Sequence, residues 1–272
     1  MPRGRTVLIT DASTGIGAAY ADRFARRGYA LVLVARDLDR LKGLASRLRT
    51  ETAVQVDIVQ ADLTKSDDRA IVEKRLSGDP SIGVLINNPA AVTHGTFITA
   101  DLNAWEKLID LNVTAVARLT GAVIPQFLKR GEGAIINIGS VAGLAPEVQL
   151  GFYGATKAFV LAMSEALNIE LGPRGIYLQA VLPAATRSEI WERSGRDVGE
   201  IPDTMGVEDL VDAALVGFDR RETVSLPSLH DAALWEAYLS ARKAMVPNLG
   251  NAQPAPRYRS ASNKYSGILT GQ

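Results

Sequence analysis

The chain of 272 residues contains no cysteine, and its only histidines are His94 and His230. Without cysteine there are no disulfide bonds, no thiolate metal ligands and no thiol nucleophile. Two histidines are too few for an ordinary zinc site, so we expect no bound metal. These absences remove disulfide scaffolds, thiol enzymes and zinc enzymes from the candidate classes.

An excess of one charge and long apolar runs are also missing. Lys+Arg and Asp+Glu each number 30, so nothing in the charge suggests a nucleic acid partner. No stretch approaches the ~20 apolar residues needed to span a bilayer. The apolar run near the N-terminus ends at Asp11, too short for a signal peptide. We therefore expect no membrane partner and a cytoplasmic location.

What the sequence does contain is an alternation of short β-branched runs with longer amphipathic segments. Apolar residues make up 47% of the chain, as in ordinary globular proteins. Strands are predicted at 6–10, 30–35, 53–61, 81–87, 133–139, 176–182 and 222–226. Helices are predicted between them, with two long ones at about 101–130 and about 151–172.

This alternation predicts an α/β fold, a Rossmann-type doubly wound parallel sheet of about seven strands with helices on both faces. The strands are almost continuously apolar, as expected for strands buried on both faces. No composition break occurs before about residue 245. We therefore predict one domain over 1–245 and a tail over 246–272, which is rich in Pro, Gly, Ser and Asn.

The loop after the first strand reads TDASTGIG and precedes a helix. Gly15 and Gly17 allow close approach of the backbone to a phosphate, and the helix start offers free N–H groups. Ser13 and Thr14 add hydroxyl donors. The pattern predicts dinucleotide binding by Thr10, Asp11, Ser13, Thr14, Gly15, Ile16 and Gly17.

The second strand ends in Ala35 and Arg36. An arginine at this place suits the 2′-phosphate of NADP, whereas an acidic residue would suit NAD. Alternatively, Arg36 is a solvated residue at the start of the next helix, with Asp37 as its N-cap. Asp62, which ends the third strand, is a candidate acceptor for the adenine amine, or equally an N-cap.

The segment YGATKAF carries the sharpest catalytic pattern. Tyr153 and Lys157 are four residues apart, so on a helix they share one face. An ammonium beside a phenol favours the phenolate, and such a pair can exchange a proton with a substrate oxygen. Ser140, at the end of the fifth strand, reaches the same edge of the sheet. Taken alone, the Tyr-x-x-x-Lys spacing also fits a solvated helix face.

Together these motifs resemble the classical short-chain dehydrogenase/reductase family. TDASTGIG, NNPA (87–90), Asn112 in LNV, Ser140 in INIGS and YGATK occur in that family's order and spacing. The resemblance covers about residues 5–230. It implies that Tyr153 is the general acid/base, and that Lys157 lowers its pKa and binds the nicotinamide ribose. It also implies that Ser140 orients the substrate and that Asn112 holds a water in a proton relay.

The resemblance further implies a partner, a cofactor and more site residues. It implies hydride transfer between NADP(H) and a small carbonyl or alcohol substrate, with NAD(H) less favoured, in a homodimer or homotetramer. The further cofactor contacts would be Leu63, Asn88, Ala90, Pro183, Ala184, Thr186 and Ser188. The substrate contacts would be Ser140, Tyr153, His94 and Trp191.

Three residues replace family glycines beside the cofactor, namely Asp11, Ala90 and Ala184. An aspartate tolerates left-handed backbone better than most residues, but its charge would repel a phosphate and weaken binding. A second hypothesis is therefore a non-catalytic dinucleotide-binding or regulatory protein.

Overall fold

The computed structural model describes residues 5–89, 91, 101–148, 150–187 and 203–258. Within them, neighbouring strands pair in parallel in the order β3-β2-β1-β4-β5-β6-β7. This arrangement confirms the predicted doubly wound sheet. The strands are β1 (Thr6–Thr10), β2 (Ala30–Ala35), β3 (Val56–Gln60), β4 (Ile82–Asn87), β5 (Gly133–Ile138), β6 (Ile176–Val181) and β7 (Val224–Ser225).

Helices cover both faces of the sheet. They are α1 (Gly15–Arg26), α2 (Leu38–Thr52), α3 (Ser66–Gly78), α4 (Leu102–Ile109), α5 (Val116–Arg130), α6 (Gly151–Leu171) and α7 (Val207–Asp219), and a further helix, α8 (Ala232–Met245), follows later in the chain. Two apolar cores result, one on each face. The side chains of Ile9 and Phe24 belong to one core, while those of Leu8 and Phe127 belong to the other. Successive strand residues thus enter opposite cores, which explains the continuous apolar runs.

The first two helices end and begin as their local sequences dictate. Gly28 follows α1 with φ +82°, the left-handed conformation that a glycine adopts without steric cost. Asp37 caps α2 by accepting a hydrogen bond from the Arg40 N–H at 3.0 Å. Both features fix the short connections that bring the ends of β1 and β2 side by side.

The long helix predicted at about 101–130 is interrupted. A π-helical segment, Asp110–Ala115, separates α4 from α5. By length and composition alone, Leu102–Arg130 could cross a membrane, but core helices share that property. In α5, Leu119, Val123 and Phe127 are buried in the core between the helix and the sheet.

The chain divides into two compact units, Met1–Ser228 and Leu229–Gln272. The first contains the whole sheet. The second contains α8 and two 3-10 turns, Val246–Asn248 and Pro256–Tyr258, and no residue of α8 is buried. The domain boundary at 245/246 stays a prediction.

Candidate active site

The polar loops of the first unit meet at one edge of the sheet. The loop Asp11–Thr14 follows β1, Asn88 follows β4, Ser140 follows β5 and Pro183 follows β6. Because these strands are parallel, their carboxyl ends lie together, and this edge is where open α/β sheets bind ligands.

The loop after β1 has a tightly constrained backbone. Asp11 adopts φ +47° and Gly15 φ +54°, so the aspartate does take the left-handed conformation that the turn requires. A Cβ atom on Gly17 would collide with the Asp11 carbonyl oxygen and would lie 2.8 Å from Asn88 Nδ2. The Asn88 N–H donates to Thr10 Oγ1 at 2.9 Å, which ties this loop to the end of β4.

The start of α1 is suited to an anion. Thr14, its N-cap residue, is extended with φ −155°, and no acidic residue occupies the first turn. Ile16 is partly buried and packs against the core, which holds this end in place. The first-turn N–H groups and the positive end of the helix dipole therefore face the sheet edge, where they can hold a pyrophosphate.

Two adjoining cavities lie beside this loop. One of about 370 Å³ is lined by residues of β2, the loop after β3 and α4. The other, of about 410 Å³, is lined by Asp11, Ser13, Arg36, Asp37 and Arg40. Asp11 and Arg36 line both cavities. The predicted cofactor contacts Asp62 and Leu63 line the cavity of about 370 Å³. This concave region suits the adenosine half of a dinucleotide.

The structure bears on the alternatives left open at the ends of β2 and β3. Asp37 caps α2, and Arg36 is exposed and lines both cavities, so its contact with a 2′-phosphate stays a prediction. Asp62 is not a helix N-cap, because α3 begins at Ser66 with Lys65 as its N-cap residue. Its Oδ1 instead accepts from the Thr64 N–H at 3.1 Å and the Thr64 hydroxyl at 2.8 Å. Burial opposes ionisation, but the Thr64 hydrogen bonds and the Arg36 charge lower the pKa of Asp62.

Lys157 is buried, not solvated. Its side chain lies in α6 one turn after Tyr153, and the residue is 1% exposed. Its Nζ donates to the Ile138 carbonyl at 3.0 Å and to the Pro89 carbonyl at 3.2 Å. It also lies 5.6 Å from the centroid of the Tyr153 ring. The solvated helix face is therefore the wrong interpretation, and desolvation lowers the pKa of Lys157 to about 7.

Tyr153 keeps its proton at neutral pH in the protein alone. Burial raises the pKa of Tyr153 to about 12, and its hydrogen bond with the Ser140 side chain acts in the opposite direction. Burial and Ser140 account for this pKa, and the lowering by Lys157 that the family resemblance implies stays a prediction. Ser140 Oγ accepts from the Ala142 N–H at 3.1 Å and donates to the Pro183 carbonyl at 3.5 Å.

Asn112 reaches the catalytic helix through a residue that the sequence did not single out. It is fully buried in the π-helical segment, and its Nδ2 donates to Thr156 Oγ1 at 3.0 Å. Thr156 Oγ1 in turn donates to the Tyr153 carbonyl at 2.8 Å. Within the described residues, Asn112 Oδ1 is buried without a partner. The position of Thr156 inside YGATK was the only signal for its role.

A second buried chain of hydrogen bonds connects β4, β5 and α6. Asn87 Nδ2 donates to Asn137 Oδ1 at 2.9 Å, and Asn137 Nδ2 donates to Ser164 Oγ at 2.9 Å. Ser164 completes it by donating to the Val160 carbonyl at 2.7 Å. These bonds fix α6, and with it Tyr153 and Lys157, against the strands.

The remaining predicted contacts lie after β6 or outside the described part of the chain. Pro183 accepts from the Val141 N–H at 3.0 Å. Thr186 Oγ1 donates to the Ala184 carbonyl at 3.0 Å, and Thr186 forms a bridge with Met205. The predicted residues that the structure does not describe are Ala90, His94, Ser188 and Trp191.

Other lining residues were missed from the sequence. Arg40 lies in the first turn of α2, four residues after Arg36, and this short separation could have suggested a shared cavity. Lys107 and Leu111 line the cavity from α4 and the π-helical segment. No local pattern pointed to them, because they reach the site only through the packing of that helix.

Comparison with known proteins identifies close relatives. Residues 5–199 match the family model described as short chain dehydrogenase. A short-chain dehydrogenase from Sphingobium yanoikuyae, solved in complex with NADPH, is 58% identical. That match covers 94% of this chain and 100% of the other, with a TM-score of 0.92. The bulky-bulky ketone specific alcohol dehydrogenase from Comamonas testosteroni is 52% identical over 94% of this chain and 99% of its own, with a TM-score of 0.87.

Curated relatives are more distant. A very-long-chain 3-oxoacyl-CoA reductase-B from Danio rerio is 34% identical over 184 residues, which are 66% of this chain and 59% of that protein. A 17-beta-hydroxysteroid dehydrogenase type 3 from Rattus norvegicus is 35% identical over 182 residues, with the same coverage of 66% and 59%. The chain thus matches about three fifths of the length of these two relatives.

Proposed function

The chain belongs to the short-chain dehydrogenase family, and from this premise we propose that it transfers a hydride between NADP(H) and a carbonyl or secondary alcohol, with Tyr153 as general acid/base. One observation carries the proposal. Tyr153, Ser140 and the buried amine of Lys157 converge at the carboxyl edge of the sheet, beside cavities suited to adenosine.

The protein's residues account for the proton in the reductive direction. The Tyr153 hydroxyl is protonated at neutral pH because burial raises its pKa to about 12, so it is able to donate to a carbonyl oxygen. Ser140 is placed to hydrogen-bond the same oxygen. NADP(H), when bound, would supply the hydride for the carbonyl carbon. The substrate thus gains one hydride at carbon and one proton at oxygen, and Tyr153 is left as a phenolate.

Lys157 would stabilise that phenolate, and Asn112 would help to return its proton. A phenolate at Tyr153 favours the charged form of the Lys157 amine, which lies 5.6 Å from the ring centroid and would stabilise the negative charge. The buried Asn112 amide, whose Oδ1 has no partner in the described residues, can order a water that returns a proton. In the oxidative direction the same groups act in reverse.

The residues that would hold NADP(H) are those around the two cavities and the start of α1. Gly15 and the first-turn N–H groups would hold the pyrophosphate, and Arg36 would bind the 2′-phosphate. Lys157 would bind the nicotinamide ribose. NADP(H) is supported by the Sphingobium relative, which was solved with NADPH. NAD(H) is less favoured.

For the substrate, we favour ketones with bulky groups on both sides of the carbonyl. The support is the 52% identity to the Comamonas alcohol dehydrogenase, whose name states this specificity. A 3-oxoacyl thioester is a weaker candidate, because the reductase from Danio rerio is 34% identical over a smaller share of the chain. A homodimer or homotetramer and a cytoplasmic location stay predictions.

A non-catalytic role is not favoured. Asn112, Ser140, Tyr153 and Lys157 are all present, and each is held by the contacts described above. Asp11 adopts φ +47°, in the left-handed region that favours glycine. The family relatives are named as reductases or dehydrogenases.

The test is NADPH oxidation measured with a panel of ketones that includes a diaryl ketone, a 3-oxoacyl thioester and a small ketone. Tyr153→Phe should lower kcat about 10²–10⁴-fold, the usual contribution of a general acid, while NADPH still binds. Tyr238→Phe, which removes a hydroxyl from an exposed tyrosine of α8, is the matched control and should keep full activity. Full turnover by Tyr153→Phe would exclude the assigned role.

A further inference from the structure

Tyr153 lies in the first turn of α6, and the sequence of this turn favours a helix only weakly. The turn reads GFYG over 151–154, and glycine is unfavourable inside a helix because it loses the most backbone freedom. Gly151 has φ +49°, outside the right-handed helical region. The N-cap residue is Leu150, whose apolar side chain offers no capping hydrogen bond. The helix end that carries Tyr153 therefore depends on contacts from other elements.

An aromatic stack supplies such a contact. The rings of Trp105 in α4 and Phe152 in α6 have their centroids 4.7 Å apart and their planes at 11° to each other. Both residues are half-buried, and a stacked aromatic pair stabilises a structure beyond the apolar area that it buries. Phe152 directly precedes Tyr153 in the chain. The stack thus joins the first turn of α6 to α4 beside the proposed general acid.

The same part of the chain contacts α6 again one helical turn later. The π-helical segment that follows α4 carries Asn112, whose Nδ2 donates to Thr156 Oγ1 at 3.0 Å. Phe152 and Thr156 are four residues apart, so they share one face of α6. Thr156 lies in the second turn, whereas Phe152 lies in the first turn beside Tyr153. The stack therefore acts on the turn that carries the phenol.

In contrast to α6, α4 begins with a capped turn. The Asp101 side chain accepts a hydrogen bond from the Asn103 N–H at 3.0 Å, and the Asp101 carbonyl accepts one from the Trp105 N–H at 3.2 Å. Leu108, three residues after Trp105, is 1% exposed and attaches α4 to the protein. Trp105 thus projects from a well-formed helix onto a weak helix start.

We propose that Trp105 is a positioning residue, which stacks on Phe152 and so keeps the first turn of α6 helical with the Tyr153 hydroxyl in place for proton transfer. The inference rests on the proposed function, because it concerns the acid of that reaction. Opening of this turn would displace the hydroxyl, and a displacement of about 1 Å can lower a rate about 10²-fold.

The experiment compares hydrogen exchange and ketone reduction in wild type and Trp105→Ala. In an α-helix the N–H groups of 155–157 donate to the carbonyls of 151–153, so their exchange reports opening of the first turn. These N–H groups should exchange at least tenfold faster in the variant, while those of 162–171 keep their rates. The kcat should fall about tenfold, whereas the KM for the ketone and the NADPH dissociation constant stay within twofold.

Two further variants of tryptophans test the specificity of this result. Trp105→Phe keeps an aromatic ring and should restore both the exchange rates and kcat to within threefold of wild type. Trp235→Ala is the matched control, because Trp235 of α8 also stacks on an aromatic ring, that of Tyr238, with centroids 5.2 Å apart and planes at 18°. This control should change neither the exchange of 155–157 nor kcat.

Phe152→Leu removes the stack from its other side with a smaller loss of volume, so it tests the proposal even where Trp105→Ala does not fold. It should also accelerate exchange of 155–157. The double variant Trp105→Ala/Phe152→Leu should have the same kcat as Trp105→Ala alone, because both changes remove one contact. Losses that add would show that Trp105 acts by another route and would overturn the inference, as would an equal rise in exchange along all of α6.

Exchange is measured without cofactor or substrate, which separates this inference from the proposed reaction. Absence of ketone reduction by wild type would overturn the proposed function and the role of Trp105 together. Normal reduction by wild type, with unchanged exchange and kcat in Trp105→Ala, would overturn only the role of Trp105.

Discussion

The catalytic end and the adenosine end of the site are held by different forces. Lys157, Asn112 and Ser140 are buried, and their hydrogen bonds go to carbonyls, hydroxyls and backbone N–H groups. Arg36 and Arg40 are exposed at the wall of a cavity, and in the proposed function they would bind a phosphate through their charge. Buried hydrogen bonds keep a fixed geometry and resist salt, whereas exposed charges are screened and easily exchanged. The residues proposed for catalysis therefore lie where hydrogen bonds fix the geometry. The residues proposed to select the cofactor lie at the exposed end, where the geometry can vary.

The buried amine gives the largest expected effect. The pKa of Lys157 falls from 10.5 to about 7 on folding, so between these values the unfolded chain binds more protons than the folded one. The free energy of unfolding should therefore rise with pH, by about 2 kcal/mol between pH 7 and pH 9 from this group.

Urea unfolding at both pH values, on wild type and Lys157→Met, measures this contribution. The neutral methionine should remove it, so the increase between pH 7 and pH 9 should be smaller in the variant. Equal increases in the two proteins would show that the amine is already charged in the folded state, and the contrast between the two ends would then be weaker.

At the exposed end, Arg36→Leu should raise the NADPH dissociation constant about tenfold, the lower range for a charge-assisted hydrogen bond. NADH, without the 2′-phosphate, should be little affected. Titrations at low and high salt should show that the difference shrinks as salt rises. Arg174→Leu, at an exposed arginine before β6 on the opposite edge of the sheet, is the control. Equal loss of NADH binding in Arg36→Leu would contradict the assignment of Arg36.

The smallest effect concerns Thr156. Thr156→Val removes the hydroxyl that joins Asn112 to the Tyr153 carbonyl, and should lower kcat about fivefold, near 1 kcal/mol for one hydrogen bond. Thr156→Ser keeps the hydroxyl and should restore kcat, while the KM for the ketone stays constant in both. If serine fails to restore the rate, Thr156 contributes through packing of its methyl group and not through Asn112.

The fold could be predicted from the sequence because most strands coincide with a short run of apolar, often β-branched residues. Five of the seven strands lie within about one residue of their predicted bounds; β3 and β7 are shorter than predicted. The run at 222–226 reads ETVSL and was predicted as a five-residue strand, but only Val224–Ser225 pair with β6. Pairing depends on the neighbouring strand, which a local pattern does not report.

Only part of the candidate site could be predicted from the sequence. The order of motifs pointed to Tyr153, Lys157, Ser140 and Asn112, and the structure brings them together. The sequence could not reveal that Lys157 donates to two carbonyls or that burial governs the pKa of Tyr153. Both depend on how α6 meets β4 and β5, a long-range contact that spacing along the chain does not encode.

The π-helical segment Asp110–Ala115 makes the length of this part of the chain critical. One residue more or fewer there would turn everything that follows by about 100° around the helix axis. Either Leu119, Val123 and Phe127 would then leave the core, or Asn112 would lose its hydrogen bond to Thr156 of α6. Substitutions can therefore change this helix gradually, but an insertion or deletion has to be compensated within the same turn.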